Sequence, residues 1–230
     1  MRIEPQGQAY YLSMLFERRQ SHYQKFIRNI LNSKNNINSL HSSFAFVVGL
    51  RQTDERTVVE MIEVSLIDDI ACLKKQEEVL RFSKFDEADA WRLGQILRGQ
   101  AEAKNLPMVM DIRIGTRPLF YAAMPGTSPE NPDWVRRKVN TVMRFHKSSY
   151  RVGREYEERG LGFNESRGMN ALDFAREGGG FPIHIIGTGV VGAVTVSGIP
   201  QREDHNFVTE AIASFLKIEF SKIKLGPEAK

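Results

Sequence analysis

The segment Gly187-Thr188-Gly189-Val190-Val191-Gly192 has the G-x-G-x-x-G spacing with which dinucleotide-binding proteins hold a pyrophosphate. In those proteins the glycines follow a strand and open a helix, because free N–H groups at the helix N-terminus bind the phosphate oxygens. Residues 181–186 do have the composition of a strand. Residues 193–200, however, alternate small and β-branched side chains and end in proline, which predicts a second strand. We therefore expect a β-hairpin here and not a dinucleotide site.

Three other groups carry side chains of the kinds that enzymes use. They are Asp111 with Arg113 on a predicted strand, Thr127 with Ser128 in a predicted loop, and Asp204 with His205 before the last predicted helix. None has the spacing of a nucleophile and its base, or of a metal motif such as H-E-x-x-H. Asp204 is adequately explained as the N-cap of that helix. The sequence therefore leaves open whether the protein catalyses a reaction.

Two helices and a hairpin are predicted in the first part of the domain. Apolar side chains at three- and four-residue spacing predict the first helix over 66–80. Asp86 is the predicted N-cap of the second helix, which ends before Pro107. Two strands follow, 108–114 and 119–124, and the short link between them requires that they be antiparallel.

A long basic helix and the glycine-rich hairpin make up the rest of the predicted fold. Asn131 as cap and Pro132 at the first helical position predict a helix that runs to about Tyr150. A shorter helix is predicted over 170–176, and a last helix follows Asp204 after the hairpin. Both hairpins can join one antiparallel sheet, so the sequence predicts an α+β protein.

Residues 1–61 differ in composition from the rest of the chain. The stretch 29–39 is rich in Asn and Ser, with no pattern that predicts a helix. Residues 1–60 hold 8 Lys/Arg and 5 Asp/Glu, which accounts for +3 of the +4 net charge of the chain. We therefore predict a poorly ordered basic extension over 1–61, either an upstream-start extension or an arm for a partner, and a folded domain over 62–230.

The composition argues against several classes of function. Cys72 is the only cysteine, which excludes an intrachain disulfide and a cysteine-based zinc cage. No apolar run approaches the ~20 residues of a membrane span, and we find no secretory signal pattern at the start of the sequence. No zinc-finger, RNP or basic-zipper motif is present, so we do not expect nucleic acid as a partner. A reducing cytoplasm fits this composition best.

The glycine-rich hairpin and the segments around it carry a family resemblance. The sequence resembles the haem-degrading-domain family, also called HbpS/GlcG-like, at Gly178-Gly179-Gly180-Phe181-Pro182-Ile183, at 187–198 and at Asp204-His205. It is similar to the uncharacterised-protein branch of that family at Pro125-Gly126-Thr127-Ser128, at Asn131, Asp133 and Trp134, and at Ser148-Ser149-Tyr150, Val152 and Gly153. The resemblance covers about residues 62–216.

The resemblance implies a profilin-like domain with α-β-α layers around a five-stranded antiparallel sheet. It also implies assembly into a homo-oligomer. Some members of the family bind haem, one group has been credited with haem degradation, and others have no settled activity. Haem is therefore the implied candidate cofactor, and residues 1–61 lie outside the resemblance.

Haem binding requires an axial ligand such as histidine in an apolar pocket, and cations for the propionates. His146 on the basic helix and His184 on the glycine-rich strand are the candidate axial ligands. The full candidate ligand-binding set is Arg137, Lys138, Arg144, His146, Gly179, Gly180, His184 and Thr195. A lone histidine is more often a surface or structural residue, and a run of basic residues is more often a solvated helix face or an oligomer salt-bridge partner. Glycines 178–180 could admit a ligand to the backbone or let two subunits pack closely.

Two hypotheses of different kinds follow from these observations. The first is a cytoplasmic oligomeric domain that binds a small anionic or haem-like ligand between residues 178–198 and the helix that holds Arg136 and His146. The second is a ring-forming interaction or scaffold protein with no catalytic activity. An enzyme of haem or 2-hydroxy-acid metabolism rests only on analogy with the family. No metal-ion site is predicted.

Overall fold

A computed structural model describes residues 55–162 and 169–226. The helices are α1 (Glu55–Val79), α2 (Glu87–Ala103), α3 (Asn131–Phe145), α4 (Ser149–Glu158) and α5 (Gln201–Leu216). The strands are β1 (Val109–Ile114), β2 (Arg117–Ala123), β3 (Gly180–Ile185) and β4 (Gly189–Ser197), and a 3-10 helix, Phe220–Lys222, follows α5. Most of the predicted extension lies outside the described residues, and its last part, 55–61, belongs to α1.

The strands form one antiparallel sheet in the order β2-β1-β4-β3, which confirms the predicted α+β class. Five strands are not confirmed, because the described ranges contain four. Beside β3 there is a single parallel bridge, in which the Phe82 N–H donates to the carbonyl of His184 and the Phe82 carbonyl accepts from Ile186, both at 2.9 Å. The chain then turns to Asp86, which caps α2, so the pairing ends after one residue.

The glycine motif at 187–192 forms the predicted hairpin turn. Gly187 and Gly189 have φ angles of +81° and +104°, which glycine adopts without steric cost. The residues that follow continue directly into β4, which pairs with β3. A helix N-terminus, which a dinucleotide site needs, is therefore replaced here by a strand.

Three layers surround two apolar cores. α2 and α5 pack on one face of the sheet, and α3 packs on the other. The larger core, on the α2 and α5 side, includes Met110, Ile112, Ile183, Val194 and Val196 from the strands. The smaller core joins Val109 and Ala193 of the sheet to Val135, Val139 and Val142 of α3. Successive side chains of a strand point to opposite faces, so β1 and β4 supply residues to both cores.

Two helix predictions are wrong. The predicted helix from Pro132 to Tyr150 is divided at His146, whose φ of +53° ends α3, and Ser148 then caps α4. The predicted helix over 170–176 is a turn and an irregular segment. The N–H groups of Asp173 and Phe174 bond back to the carbonyl of Asn170 in a turn, whereas the N–H of Ala175 bonds to the carbonyl of Arg137 on α3, so the segment does not continue as a helix.

Candidate functional site

The predicted ligand residues lie in three places. Lys138, Gly179, Gly180 and Thr195 are buried where α3 packs on the sheet. Arg144 and His146 lie at the exposed C-terminal end of α3, and His184 lies in the second half of β3. Arg137 lies apart from both groups: its guanidinium is 3.9 Å from the ring centroid of Trp134 and 2.9 Å from the carboxylate of Asp133.

The buried group is centred on an ion pair between α3 and α5. Lys138 Nζ is 2.8 Å from Asp204 Oδ2 and 3.0 Å from the carbonyl of Val196, and both charged side chains are 3% exposed. Burial raises the pKa of Asp204 to about 6, although Lys138 lowers it. Asp204 is therefore not the N-cap that the sequence predicted. α5 begins at Gln201 after Pro200, and Asp204 lies inside its first turn, where a buried ammonium is its partner.

Glycines 178–180 allow the chain to pack on itself. A Cβ at Gly178 would lie 1.9 Å from the carbonyl oxygen of Gln201. At Gly179, where φ is +115°, a Cβ would lie 2.4 Å from the carbonyl oxygen of Val196 and 2.8 Å from Lys138 Nζ. From the sequence, these glycines could admit a ligand to the backbone or let two subunits pack closely. The structure shows a third role, which is close packing within the chain.

Thr195 belongs to a row of residues that crosses the sheet. The row is Tyr121, Asp111, Thr195 and Gly180. The buried Asp111 carboxylate accepts two hydrogen bonds, at 2.7 and 2.6 Å, from Arg113 on the same strand. The Thr195 hydroxyl is buried and has no hydrogen-bond partner among the described residues. An unpartnered buried hydroxyl costs about 1–3 kcal/mol, so a small polar molecule such as water would be favoured beside it.

The exposed group brings together two of the predicted residues and one that the sequence did not reveal. We call His146, His184 and Arg81 the histidine edge. Burial lowers the pKa of His184, and electrostatic interaction with Arg81 and His146 lowers it further, so both of these side chains act on His184. Arg81 follows α1 and reaches β3 through the adjacent Phe82 bridge. A histidine with a lowered pKa is neutral at pH 7, which is the form that binds a metal.

Apolar and basic residues lie two positions from each member of the histidine edge in the sequence. Ile186, which follows β3, is 64% exposed, and Val79 at the end of α1 is 39% exposed. Arg144 lies in the last turn of α3, with its guanidinium 5.4 Å from the ring centroid of Phe174. Exposed apolar surface beside histidines and arginines can hold a ligand that has both a flat apolar part and anionic groups.

The loop before α3 is held by local hydrogen bonds. The Thr127 hydroxyl donates to the carbonyl of Met124, and the Asn131 side-chain oxygen accepts from the Ser128 N–H at 2.7 Å. Asn131 was predicted as the helix cap, but its side chain stabilises the preceding turn and α3 begins without a side-chain cap bond.

A buried polar network between α1, α4 and α5 was missed by sequence reasoning. Arg202 donates to both carboxylate oxygens of Asp69 at 2.7 Å and to the Tyr150 hydroxyl at 3.2 Å. His205 Nε2 lies 2.7 Å from Gln76 Oε1, and burial lowers the pKa of His205 to about 3. Asp204-His205 and Ser148-Ser149-Tyr150 were noted as family motifs. Nothing in the sequence pointed to the partners of Arg202 and His205 on α1. These partners, Asp69 and Gln76, lie more than a hundred residues before α5 in the chain.

Over residues 55–162 and 169–226, no group of three or more His, Cys, Asp or Glu side chains is placed to hold a metal ion. None of the helices in these ranges is both long enough and apolar enough to cross a membrane.

Comparison with known proteins agrees with the resemblance. The model of the haem degrading protein HbpS-like family matches residues 85–213. A UPF0303 protein of Mesorhizobium japonicum is 47% identical over 167 residues, which are 73% of this chain and 100% of the relative. Another, of Acidobacterium capsulatum, is 46% identical over 166 residues, which are 72% of this chain and 100% of the relative.

Solved structures share the fold. The crystal structure of the Ybr137w protein matches with a TM-score of 0.60 and 25% identity over 64% of this chain and 87% of its own. The Klebsiella pneumoniae protein ORFY matches with a TM-score of 0.50 and 20% identity over 60% of this chain and 95% of its own. From the family model and the relatives, the chain belongs to the HbpS-like haem-degrading family, among its uncharacterised UPF0303 members.

Proposed function

We propose that this protein is a cytoplasmic homo-oligomer that binds a small anionic ligand of the haem class at the histidine edge. The observation that supports the proposal is that His146, which ends α3, and Arg81 both act electrostatically on the half-buried His184 of β3. The family's description as haem degrading supports haem as the first ligand to test.

Each kind of side chain at the histidine edge suits a part of haem. The neutral imidazole of His184 or His146 would hold the haem iron, and the iron would supply the redox chemistry of the group. The lowered pKa of His184 keeps that imidazole neutral at pH 7. Arg81 and Arg144 can bind propionates through charge-assisted hydrogen bonds. The exposed side chains of Val79 and Ile186 offer apolar surface to the porphyrin.

The buried residues of the candidate set have a supporting role in this proposal. An anionic ligand at Lys138 would have to displace Asp204, which already lies 2.8 Å from the ammonium. Gly179 and Gly180 are in contact with Lys138 and, at Gly180, with the Ser149 hydroxyl. These contacts hold the start of β3, the strand that carries His184, against Lys138 of α3 and Ser149 of α4.

The test is a hemin titration of the untagged protein, followed by absorbance in the Soret region and by native mass spectrometry. We expect a shifted Soret band and one hemin per subunit. His184→Ala and His146→Ala should weaken or abolish the band, whereas Thr188→Ala, an exposed change in the turn next to β3, should leave it intact. An oligomer that ignores hemin would refute the proposal.

The pH dependence of hemin binding provides a second readout. Iron binds the neutral imidazole, so binding through His184 is lost only as the pH falls through the pKa of that residue. Because this pKa is lowered from its usual value of about 6.5, binding should persist at pH 6.5 and decline below it. A decline that is already complete at pH 6.5 would exclude His184 as the ligand.

The alternative is a ring-forming interaction or scaffold protein with no catalytic activity. It is favoured by the internal pairing of the buried charges, since Lys138 is bonded to Asp204 and Arg113 to Asp111. A homogeneous oligomer without hemin binding would support this alternative, and a stoichiometric ligand retained through purification would count against it.

A further inference from the structure

The two edges of the sheet differ in how they are closed. At β3, Pro182 has no N–H to offer a further strand, and Phe82 already bonds to His184 and Ile186. On the outer side of β2, the side away from β1, no other strand of the described residues is paired. Pro118 and the irregular register opposite Arg113 interrupt only the first half of β2. The second half of β2 is therefore the open edge of this sheet.

Among the described residues, none pairs with the outward backbone groups of the open edge. The N–H of Met124 donates to the carbonyl of Met108 at 3.0 Å, which fixes the alternation of hydrogen bonds along β2. In an antiparallel ladder successive residues bond to opposite sides, so the N–H and C=O groups of Tyr121 and Ala123 point away from β1. Residues 118–124 contain no charged side chain, whereas natural edge strands commonly carry one that prevents pairing.

Exposed aromatic side chains lie on both sides of the open edge. Trp91 of α2 is 58% exposed and contacts Phe120 edge to face, with 6.0 Å between ring centroids. Tyr121 is 51% exposed and shares the opposite face of the sheet with Asp111. Aromatic residues of this kind are enriched in protein interfaces, where their rings are covered by a partner.

We propose that β2 pairs in antiparallel orientation with β2 of a second copy of this chain, about a two-fold axis at Ala122. In this register Tyr121 faces the partner subunit's Ala123, and the two residues exchange both of their outward hydrogen bonds. The large ring then meets a small side chain, and the two Ala122 methyl groups meet at the axis.

The charge pattern selects a second copy as the occupant. Arg117, the nearest charged residue of β2, is bound to Glu87 at 2.7 Å and lies toward the outer end of the paired region. An uncharged strand offers nothing to an acidic or basic peptide, but it is complementary to itself under two-fold symmetry. The inference rests on the homo-oligomer in the proposed function and is independent of haem.

Ala123→Lys tests the interface by mass. Ala123 is exposed and adjoins the open edge, so a lysine there leaves the pairing with β1 intact and adds to this strand the charge by which natural edge strands avoid pairing. We expect light scattering after size exclusion to give half the mass of the wild-type assembly. Where the assembly has further contacts, the variant should still form a species smaller than the wild-type assembly. Thr188→Lys, which adds the same charge at the exposed β3–β4 turn, should leave the mass unchanged.

Ala122→Cys tests the register. In the proposed pairing the two Ala122 residues form a non-hydrogen-bonded pair with about 4.5 Å between Cα atoms, which a disulfide can bridge. In a Cys72→Ser background, mild oxidation should yield a covalent dimer for Ala122→Cys and none for Thr188→Cys. A wild-type oligomer that is insensitive to Ala123→Lys and uncrosslinked at position 122 would overturn this interface while leaving the oligomer proposal standing. A monomeric wild-type protein would overturn both this interface and the oligomer proposal. Hemin binding is tested independently by the titration.

Discussion

His205 is the single residue whose protonation is most strongly opposed by the fold. It is fully buried, its ring centroid lies 5.4 Å from that of Tyr150, and its Nε2 lies 2.7 Å from Gln76 Oε1. Burial, followed by the charges of Arg202 and Lys138, lowers the pKa of His205 to about 3. The neutral tautomer that donates from Nε2 satisfies Gln76, whose amide N–H donates to the carbonyl of Ile223.

The pH dependence of stability follows from this pKa. In the unfolded chain a histidine titrates near 6.5, so between about pH 6.5 and pH 3 the unfolded state binds a proton that the folded state does not. The free energy of unfolding should therefore fall as the pH falls through this window, by up to about 1.4 kcal/mol per pH unit from His205 alone. Asp204, whose pKa is raised to about 6, contributes with the opposite sign.

Urea denaturation of wild type and His205→Gln between pH 7.5 and 4.5 isolates the contribution of His205 to the pH dependence of the free energy of unfolding. Glutamine cannot titrate and can still donate to Gln76, so its curve lacks the His205 contribution while retaining that of Asp204. We expect the two curves to converge as the pH falls. Thr188→Ala, which changes no titratable group and lies at an exposed position, should run parallel to wild type. Parallel curves for wild type and His205→Gln would contradict the assigned pKa.

The sequence identified several of the residues at these sites but few of their partners. His146 and His184 were selected by residue type, and the structure places them on one edge. Arg81 was not found, because only the Phe82 bridge brings it to β3, about a hundred residues further along the chain. Asp204 was assigned as a cap because its neighbours in sequence suggest a helix start, whereas its partner Lys138 is 66 positions away.

At the scale of elements, the break between α3 and α4 depends on one strained residue. His146 has a φ of +53°, in the left-handed region, and its N–H bonds to the carbonyl of Val142. A non-glycine residue there costs about 1 kcal/mol relative to glycine, which adopts this region freely. Neither glycine nor proline occurs between Phe145 and Ser149, so no helix-ending residue of these types marks the break.

His146→Gly and His146→Ala separate the backbone role of this residue from its role as a ligand. Both variants remove the imidazole, so under the proposed function both should lose hemin binding. Only glycine relieves the backbone, so we expect His146→Gly to be more stable than His146→Ala by about 0.5–1 kcal/mol in urea denaturation. Equal stability of the two variants would show that the left-handed conformation at position 146 carries no cost.

Elements with local signals were predicted best. Asp86 was assigned as the cap of α2, and the structure confirms a capping box in which Asp86 and Asp89 bond reciprocally to each other's N–H. The hairpin at 187–189 was also confirmed, because its glycines define the turn without help from the rest of the chain. The segment 170–176 failed for the opposite reason: its backbone bonds to α3, and a pattern of apolar residues contains no information about that contact.

At the scale of the whole molecule, residues 217–226 form a tail that packs against the helices, which the sequence did not predict. Beyond Leu216 helical periodicity ends, yet Ile223 and Leu225 are 3% and 1% exposed. Leu225 packs with Leu73 of α1 and Tyr150 of α4. The Arg202 Nε donates to the carbonyl of Gly226 at 2.8 Å. The tail thereby joins α1, α4 and α5.

Leu225→Ala tests whether this closure stabilises the whole domain. Truncating a buried leucine removes its transfer free energy and leaves a cavity, which costs about 2–5 kcal/mol. Lys224→Ala is the matched control, since Lys224 is exposed in the same tail and should change stability by no more than about 0.5 kcal/mol. If the tail is part of one cooperative unit, Leu225→Ala should shift the single urea transition monitored at the buried Tyr150 and by circular dichroism alike. A wild-type transition in Leu225→Ala would mean that the tail docks without contributing to the stability of α1, α4 and α5.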